Sequence, residues 1–381
     1  MTGQFQLTDD QLAIQDMARK FTADRITPFA AQWDEDHHFP RDVVQAAGEL
    51  GFGAIYVSEE SGGIALGRLE AALIMEAMAY GCPATSAYIS IHNMASWMID
   101  RFGGAEVKAR FLPKLVSMEH IASYALTEPG SGSDAAALKT TAVLDGDHYV
   151  LNGTKQFISG SGFNDIYVVM VRTSEDKSKG VTCLVVEKGT PGLSHGAPEN
   201  KLGWNASPTA QLIFEDCRVP VANRVGGEGE GFRFAMAGLD GGRLNIGACS
   251  LGGAQRCLDE AVKYTKERQQ FGQPIADFQN TQFMLADMAT DLEAARALLY
   301  LAAAKVTEGA PDKTRFSAMA KRLATDSGSK IVNDALQLFG GYGYLKDYPI
   351  ERFWRDLRVH SILEGTNQVM RMIVGRDMLR Q

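Results

Sequence analysis

At 381 residues the chain is long enough for two or three packed domains, and 45% hydrophobic with 22% charged residues is ordinary for a globular protein. A net charge of -8, with no Lys/Arg-rich run to offset it, argues against a surface for nucleic acid. Five cysteines without a CxxC pair predict buried thiols in a reducing compartment. With no secretory signal and no apolar run of bilayer length, the sequence predicts an intracellular protein without membrane insertion. That means the cytoplasm of a bacterium, or the mitochondrial matrix after processing if the source is eukaryotic.

The first third, 1–121, reads as helical. Thr8 and Gln11 have capping-box spacing, and Ile14, Met17, Ala18 and Phe21 follow at i, i+3, i+4, i+7; Pro28 marks a bend or end. Apolar stripes recur at Leu69 to Met78 and Ala95 to Phe102, separated from the first by glycine turns at Gly51 to Gly53 and Gly62 to Gly63.

Over 122–231 the pattern changes. Tyr149 with Leu151, Ile166 to Val171, Cys183 to Val186 and Leu212 with Phe214 are short β-branched or aromatic runs bounded by Asp, Gly, Asn or Pro. No helical segment lies between them, which predicts an antiparallel sheet or barrel rather than a parallel βαβ arrangement. Over 232–381 helical spacing returns. Met284, Met288, Leu292, Ala295 and Leu299 form one stripe, and Phe316, Met319, Ala320 and Leu323 another across a turn at Gly309 to Asp312, which together predict an antiparallel four-helix bundle.

Candidate chemistry sits at the joints. Glu364 lies between an apolar segment and Thr366, the expected N-cap of a helix carrying Val369, Met370, Ile373, Val374 and Met378. Pointed into a cavity, such a carboxylate has its pKa raised, as a base that removes a weakly acidic C–H proton requires. Read alone, the fragment fits a solvated loop equally. In Tyr124-Ala125-Leu126-Thr127-Glu128-Pro129-Gly130-Ser131-Gly132-Ser133-Asp134, the glycines allow close backbone approach and the hydroxyls can bond a heterocycle or phosphate, although a hydrated loop has the same composition. Neither G-x-G-x-x-G nor a P-loop is present. Gln337-Leu338-Phe339-Gly340-Gly341 and Arg268-Gln269-Gln270-Phe271-Gly272 each read as a helix stop.

Taken in order, Leu126 to Asp134, Asn152 to Ser159, Arg268 to Gly272, Gln337 to Tyr344 and Leu363 to Gln368 resemble the motifs of the acyl-CoA dehydrogenases over essentially the whole chain. The resemblance implies an α+β fold: a helical N-terminal domain, a middle antiparallel β domain and a C-terminal four-helix bundle. It also implies a homotetramer with one FAD per subunit. Carried over by position, Tyr124 to Ser133 and Phe157-Ile158-Ser159 would hold the isoalloxazine, with Thr127 and Ser159 bonding the ring. Arg268, Phe278 and Gln279 would contact the adenine and pyrophosphate half of a partner subunit's FAD, and Gln337, Leu338, Phe339, Gly340, Gly341, Thr366, Asn367 and Gln368 would complete that cradle. Ser133, Asp240, Gly241, Gly242, Arg243 and Gly365 match positions that contact acyl-CoA.

The resemblance also implies that Glu364 takes the α-proton of a thioester while the β-hydrogen leaves as hydride to the flavin. Some relatives carry the base immediately before the arginine equivalent to Arg243; here that residue is Gly242, which leaves Glu364. Ala87 to Met94, Gly340 to Tyr348 (GGYGYLKDY) and Arg358 to Leu363 point within the family to a short branched substrate. The expectation is isobutyryl-CoA oxidised to methacrylyl-CoA in valine breakdown, with electrons passing to electron-transfer flavoprotein. The alternatives are 2-methylbutyryl-CoA, a straight short-chain acyl-CoA, an oxidase reacting with oxygen, and a non-catalytic scaffold of the same fold.

Overall fold

The structure is a computed structural model and describes residues 6–380. Helix α1 (Asp9–Phe21) starts on the expected reciprocal cap: Thr8 Oγ1 accepts from the Gln11 backbone N–H at 3.2 Å, and the Gln11 side chain accepts from Thr8 N–H at 3.0 Å. The helix loosens into a π turn at Thr22–Ile26 ahead of Pro28, and α2 (Ala30–Glu35) and α3 (Arg41–Glu49) follow. After a long loop come α4 (Arg68–Ala79), α5 (Pro83–Phe102) and α6 (Ala105–Val116).

Helix α5 begins twelve residues before the stripe that spacing suggests. It is buried nearly all round, with Ser86, Ser90, His92, Asn93 and Ser96 enclosed beside its apolar residues, so no polar face marks it in the sequence. Those polar groups bind neighbouring backbone. Asn93 accepts from Ile55 N–H at 2.9 Å and donates to Phe52 O at 2.7 Å, while Asp100 accepts from Ser58 N–H at 3.0 Å. The 52–61 loop is thereby pinned to α5.

The strands are β1 (Ala122–Ala125), β2 (Thr141–Asp145), β3 (His148–Ser159), β4 (Ile166–Arg172), β5 (Val181–Glu187), β6 (Leu193–His195), β7 (Thr209–Pro220) and β8 (Arg224–Val225). They form one sheet in the order β6-β7-β3-β2-β4-β5-β8, with β1 also on β4. Most pairs are antiparallel, as expected. Two contacts are parallel: β1 on β4 from Ala122↔Ile166 to Ala125↔Val169, and β2 on β4 at Thr141↔Arg172. A parallel partner is reached only through a long crossover, a non-local pairing that hydropathy does not encode.

Strands β4 and β5 are buried on both faces. Val168, Met170, Cys183 and Val185 pack toward α5 and α6, and Val169, Val171, Leu184 and Val186 pack toward Tyr149, Leu151 and Phe214.

The C-terminal part contains α7 (Gly231–Glu267), a small hairpin of β9 (Gln269–Gln270) and β10 (Gln273–Pro274), then α8 (Gln279–Thr307), α9 (Lys313–Phe339), α10 (Ile350–Arg358) and α11 (Asn367–Met378). Helices α7, α8, α9 and α11 pack as the bundle. On α8 the expected stripe is buried at Met288, Leu292, Ala295 and Leu299, while its first residue, Met284, is half-buried. On α9 the buried face differs from the expected one. Ser317, Ala318, Ala320, Ala324, Gly328, Ile331 and Val332 are enclosed while Phe316, Met319 and Leu323 are half-buried, because α7 approaches closely enough that a Cβ on Gly328 would stand 3.1 Å from Ser250 O.

Among the described residues no helix is long and apolar enough to cross a membrane, and no group of three or more His, Cys, Asp or Glu is placed to hold a metal.

Candidate active site

Glu364 and Gly365 both adopt left-handed backbone, with φ of 51° and 90°. Glycine adopts this conformation freely but glutamate does not, so the first residue is held there by its surroundings. Two such residues in succession turn the chain sharply out of a 3-10 turn (Val359–Ser361) and into α11, whose N-cap Thr366 accepts from Val369 N–H at 3.2 Å. The turn directs the Glu364 side chain inward. Its Oε2 is enclosed without a hydrogen-bond partner.

Burial pushes the carboxyl up to about 7 against the opposing pull of Lys321 and Arg243. Lys321 on α9 donates to Gly365 O at 2.9 Å and Asn367 Oδ1 at 3.0 Å. Arg243 on α7 donates to Glu364 O at 3.4 Å and to Asp240 Oδ1 at 2.8 Å, and Asp240 also accepts from Thr314 at 2.6 Å. Gly242 faces the carboxylate, since a Cβ there would lie 2.5 Å from Oε2. Asp240, Gly241, Gly242, Arg243 and Gly365 are therefore gathered around Glu364.

Tyr124, at the end of β1, brings in the glycine-rich loop. Its hydroxyl is buried and unpartnered, and burial first, then Cys183 and Glu364, raise its pKa. Beyond it the loop is fixed from within. Glu128 and Ser131 pair through their backbones at 3.0 and 3.1 Å, and Ser131 Oγ donates to Asp134 O at 2.6 Å. The Glu128 carboxylate accepts from Lys139 N–H, Thr140 N–H and Lys155 at 2.6, 2.9 and 2.8 Å. The side chains of Glu128 and Ser131 are thus engaged within the fold, as is that of Asn367, which bonds Lys321, Thr325 and Asp326.

Gly130 and Gly132 stand open, with nothing within 4 Å of a Cβ built on either. Leu126, Thr127, Pro129 and Ser133 complete the loop, and Ile158 is buried beneath it next to Phe157, which is 64% exposed at φ 58°. Ser159 O accepts from Ser123 Oγ at 2.6 Å. Open glycines, an outward ring in a left-handed turn and two orphaned oxygens fit a flat, polar-edged group such as a flavin lying between the loop and Glu364.

A second group of predicted residues meets elsewhere. Arg268, the C-cap of α7, lies 5.4 Å from the Tyr342 ring and, with Tyr264, Gln337, Leu338, Phe339, Gly340 and Gly341, lines a cavity of 660 Å³. Phe278 caps α8 and Gln279 begins it, outside the lining of this cavity; Gln368 is exposed on α11.

Sequence reasoning did not single out four buried polar residues of this region: Lys321 and Tyr56, whose fields couple to the carboxylate, Arg68, which lies against Gly241, and Asn245, which donates to Tyr56. A lysine preceded by alanines and followed by arginine reads as a solvated helix position, so the sequence carried no signal for it.

Family models match nearly the whole chain: acyl-CoA dehydrogenase N-terminal domain over residues 8–119, middle domain over 123–217 and C-terminal domain over 229–379. The chain is 57% identical to a mitochondrial isobutyryl-CoA dehydrogenase of Dictyostelium discoideum, over 98% of this chain and 90% of that protein. It is 53% identical to that of Bos taurus over the same shares. Among solved structures, butyryl-CoA dehydrogenase from Megasphaera elsdenii superposes with TM-score 0.96 at 38% identity, covering 99% of this chain and 100% of that one. PigA with FAD and proline superposes with TM-score 0.96 at 31% identity, covering 100% of both.

Proposed function

This chain belongs to the acyl-CoA dehydrogenase family, and on that premise we propose that it is the member that oxidises isobutyryl-CoA to methacrylyl-CoA in valine breakdown. It is a FAD-dependent enzyme acting on an acyl-CoA. Bound FAD supplies the acceptor for the β-hydrogen as hydride. Glu364 removes the α-proton. Its pKa of about 7 keeps a useful fraction ionised near neutrality while making it a stronger base than a solvated carboxylate, and Oε2 meets the proton without first breaking a hydrogen bond. The Glu364 backbone N–H donates to the thioester carbonyl, where enolate-like charge develops. Arg243 and Lys321 hold the turn that aims the carboxylate.

Tyr124 to Ser133 and Phe157 to Ser159 would hold the isoalloxazine, chiefly through backbone and through Thr127 and Ser159. Asp240 to Arg243, Ser133 and Gly365 receive the acyl-CoA. The Arg268 cavity, with Phe278, Gln279 and the 366–368 start of α11, would take the far half of a neighbouring subunit's FAD in a homotetramer. Electrons leave to electron-transfer flavoprotein. The enzyme works as three domains, 1–121, 122–231 and 232–381, in the mitochondrial matrix of a eukaryote or the cytoplasm of a bacterium.

The enclosed, unpaired Glu364 carboxylate facing Gly242 carries the mechanism, and 53–57% identity to enzymes named for isobutyryl-CoA supports the substrate. Steady-state turnover of isobutyryl-, 2-methylbutyryl-, isovaleryl- and butyryl-CoA with an artificial electron acceptor tests it. Isobutyryl-CoA is expected to give the highest kcat/KM, and a clear preference for any of the others would overturn the substrate.

A further inference from the structure

The side of α7 turned toward Glu364 is nearly bare. Gly238, Gly241, Gly242 and Asn245 recur at i, i+3, i+4 and i+7 and so share one face of the helix. A Cβ on Gly242 would stand 2.5 Å from Glu364 Oε2; one on Gly241 would stand 2.3 Å from Arg68 Nη1; one on Gly238 would stand 3.0 Å from Met98 Sδ. A carboxylate, a guanidinium and a thioether therefore reach into the space that the missing side chains leave. Glu364 Oε2 ends there without a partner, which marks the space beside Gly242 as one completed by a ligand.

Arg68 is the first residue of α4 and only 7% exposed. Its guanidinium lies 3.6 Å over the Tyr56 ring and 5.1 Å from the Trp97 ring, a cation seated on aromatic faces. Asp240, the acidic residue whose field acts on it, is engaged by Arg243 and Thr314. Tyr56 cannot swing aside: its hydroxyl accepts from Asn245 at 3.2 Å, and the loop that carries it is pinned by Asn93 and Asp100. The guanidinium is thus fixed beside Gly241, one helix position from the glycine that faces the base.

We propose that Arg68 is the length stop of the acyl pocket, filling the space beyond Gly241 that a longer acyl chain would enter. Further methylenes would have to displace a side chain that the Tyr56 and Trp97 rings hold in place, so its length sets the end of the pocket. The enzyme is thereby restricted to short acyl groups. The inference rests on the acyl-CoA dehydrogenase site described above and deepens it by assigning substrate selection to a residue outside the catalytic turn.

The test uses FAD-loaded enzyme: wild type, Arg68→Ala, Arg68→Gln and Arg68→Met, each assayed for kcat/KM with butyryl-, hexanoyl- and octanoyl-CoA. One methylene in such a pocket discriminates by about 10- to 200-fold, so the hexanoyl-to-butyryl ratio should rise at least about tenfold in Arg68→Ala. It should rise less in Arg68→Gln, and stay near wild type in Arg68→Met, which keeps the length without the charge. Should the alanine variant fail to fold, the Gln and Met pair still reads the effect. A ratio unchanged in both shortened variants would overturn the stop. So would turnover of succinyl- or glutaryl-CoA by wild type that vanishes in Arg68→Met, since Arg68 would then be a carboxylate receptor. The ratio compares straight chains only. A preference for a short substrate other than isobutyryl-CoA would therefore overturn the substrate proposal and leave the stop standing.

Discussion

Gly242 and Glu364 occupy the same space from two directions: a Cβ on the first would lie 2.5 Å from Oε2 of the second. The helix offers no side chain there, and the 364–365 turn supplies one. Gly242→Ala should displace the carboxylate and lower kcat/KM by about 10²-fold, the scale expected when a general base is misplaced. Moving the carboxylate across the contact, with Glu364→Gly and Gly242→Glu together, should restore part of the activity lost in Glu364→Gly alone. A double variant no faster than Glu364→Gly would show that the two positions do not address the same proton.

The pH profile follows from burial. Glu364 is raised to about 7, so the base is protonated and idle below that pH and ionised above it. The kcat/KM value should rise with pH through about 7. Lys321 is the strongest charge pulling the carboxyl down. Lys321→Met should therefore move the midpoint to higher pH, whereas a lysine that only braces the turn would lower the rate without moving it.

Two buried histidines should weaken the fold in acid. Burial lowers His92 to about 4 and His360 to about 3, while an unfolded histidine titrates near 6.5. Between these values the unfolded chain binds the extra proton, so stability falls as pH drops below about 6.5, by up to about 1.4 kcal/mol per pH unit for each histidine. Urea unfolding at pH 7.5 and 5.5 should show the loss, and His360→Gln should reduce its slope. A variant with the wild-type slope would remove His360 from the account.

Arg268→Ala should weaken FAD retention and subunit assembly together, because Arg268 lines the 660 Å³ cavity with the Gln337–Gly341 segment. Size-exclusion chromatography with absorbance at the flavin band reads both. A monomer that keeps stoichiometric FAD would contradict the shared site.

What the sequence disclosed and what it withheld divide on locality. The Thr8 and Thr366 caps, the glycine stop after Phe339 and the α8 stripe are set by neighbours within a turn or two, and each was legible. The parallel seat of β1 on β4 and the small-residue face of α9 depend on partners far along the chain. Around Glu364, its place before a helix was readable. The cations that tune and bound its pocket were not, because Lys321 and Arg68 look like solvated helix residues until packing encloses them.

The central claim is that Glu364 is the base, and Glu364→Gln tests it most directly, since it keeps shape and hydrogen bonding while removing the basic lone pair. The variant, mixed anaerobically with isobutyryl-CoA and butyryl-CoA, should remain yellow and still bind acyl-CoA. Its flavin bleaching should be slower by at least about 10²- to 10⁴-fold. Bleaching at a near wild-type rate would place the base elsewhere and contradict the mechanism.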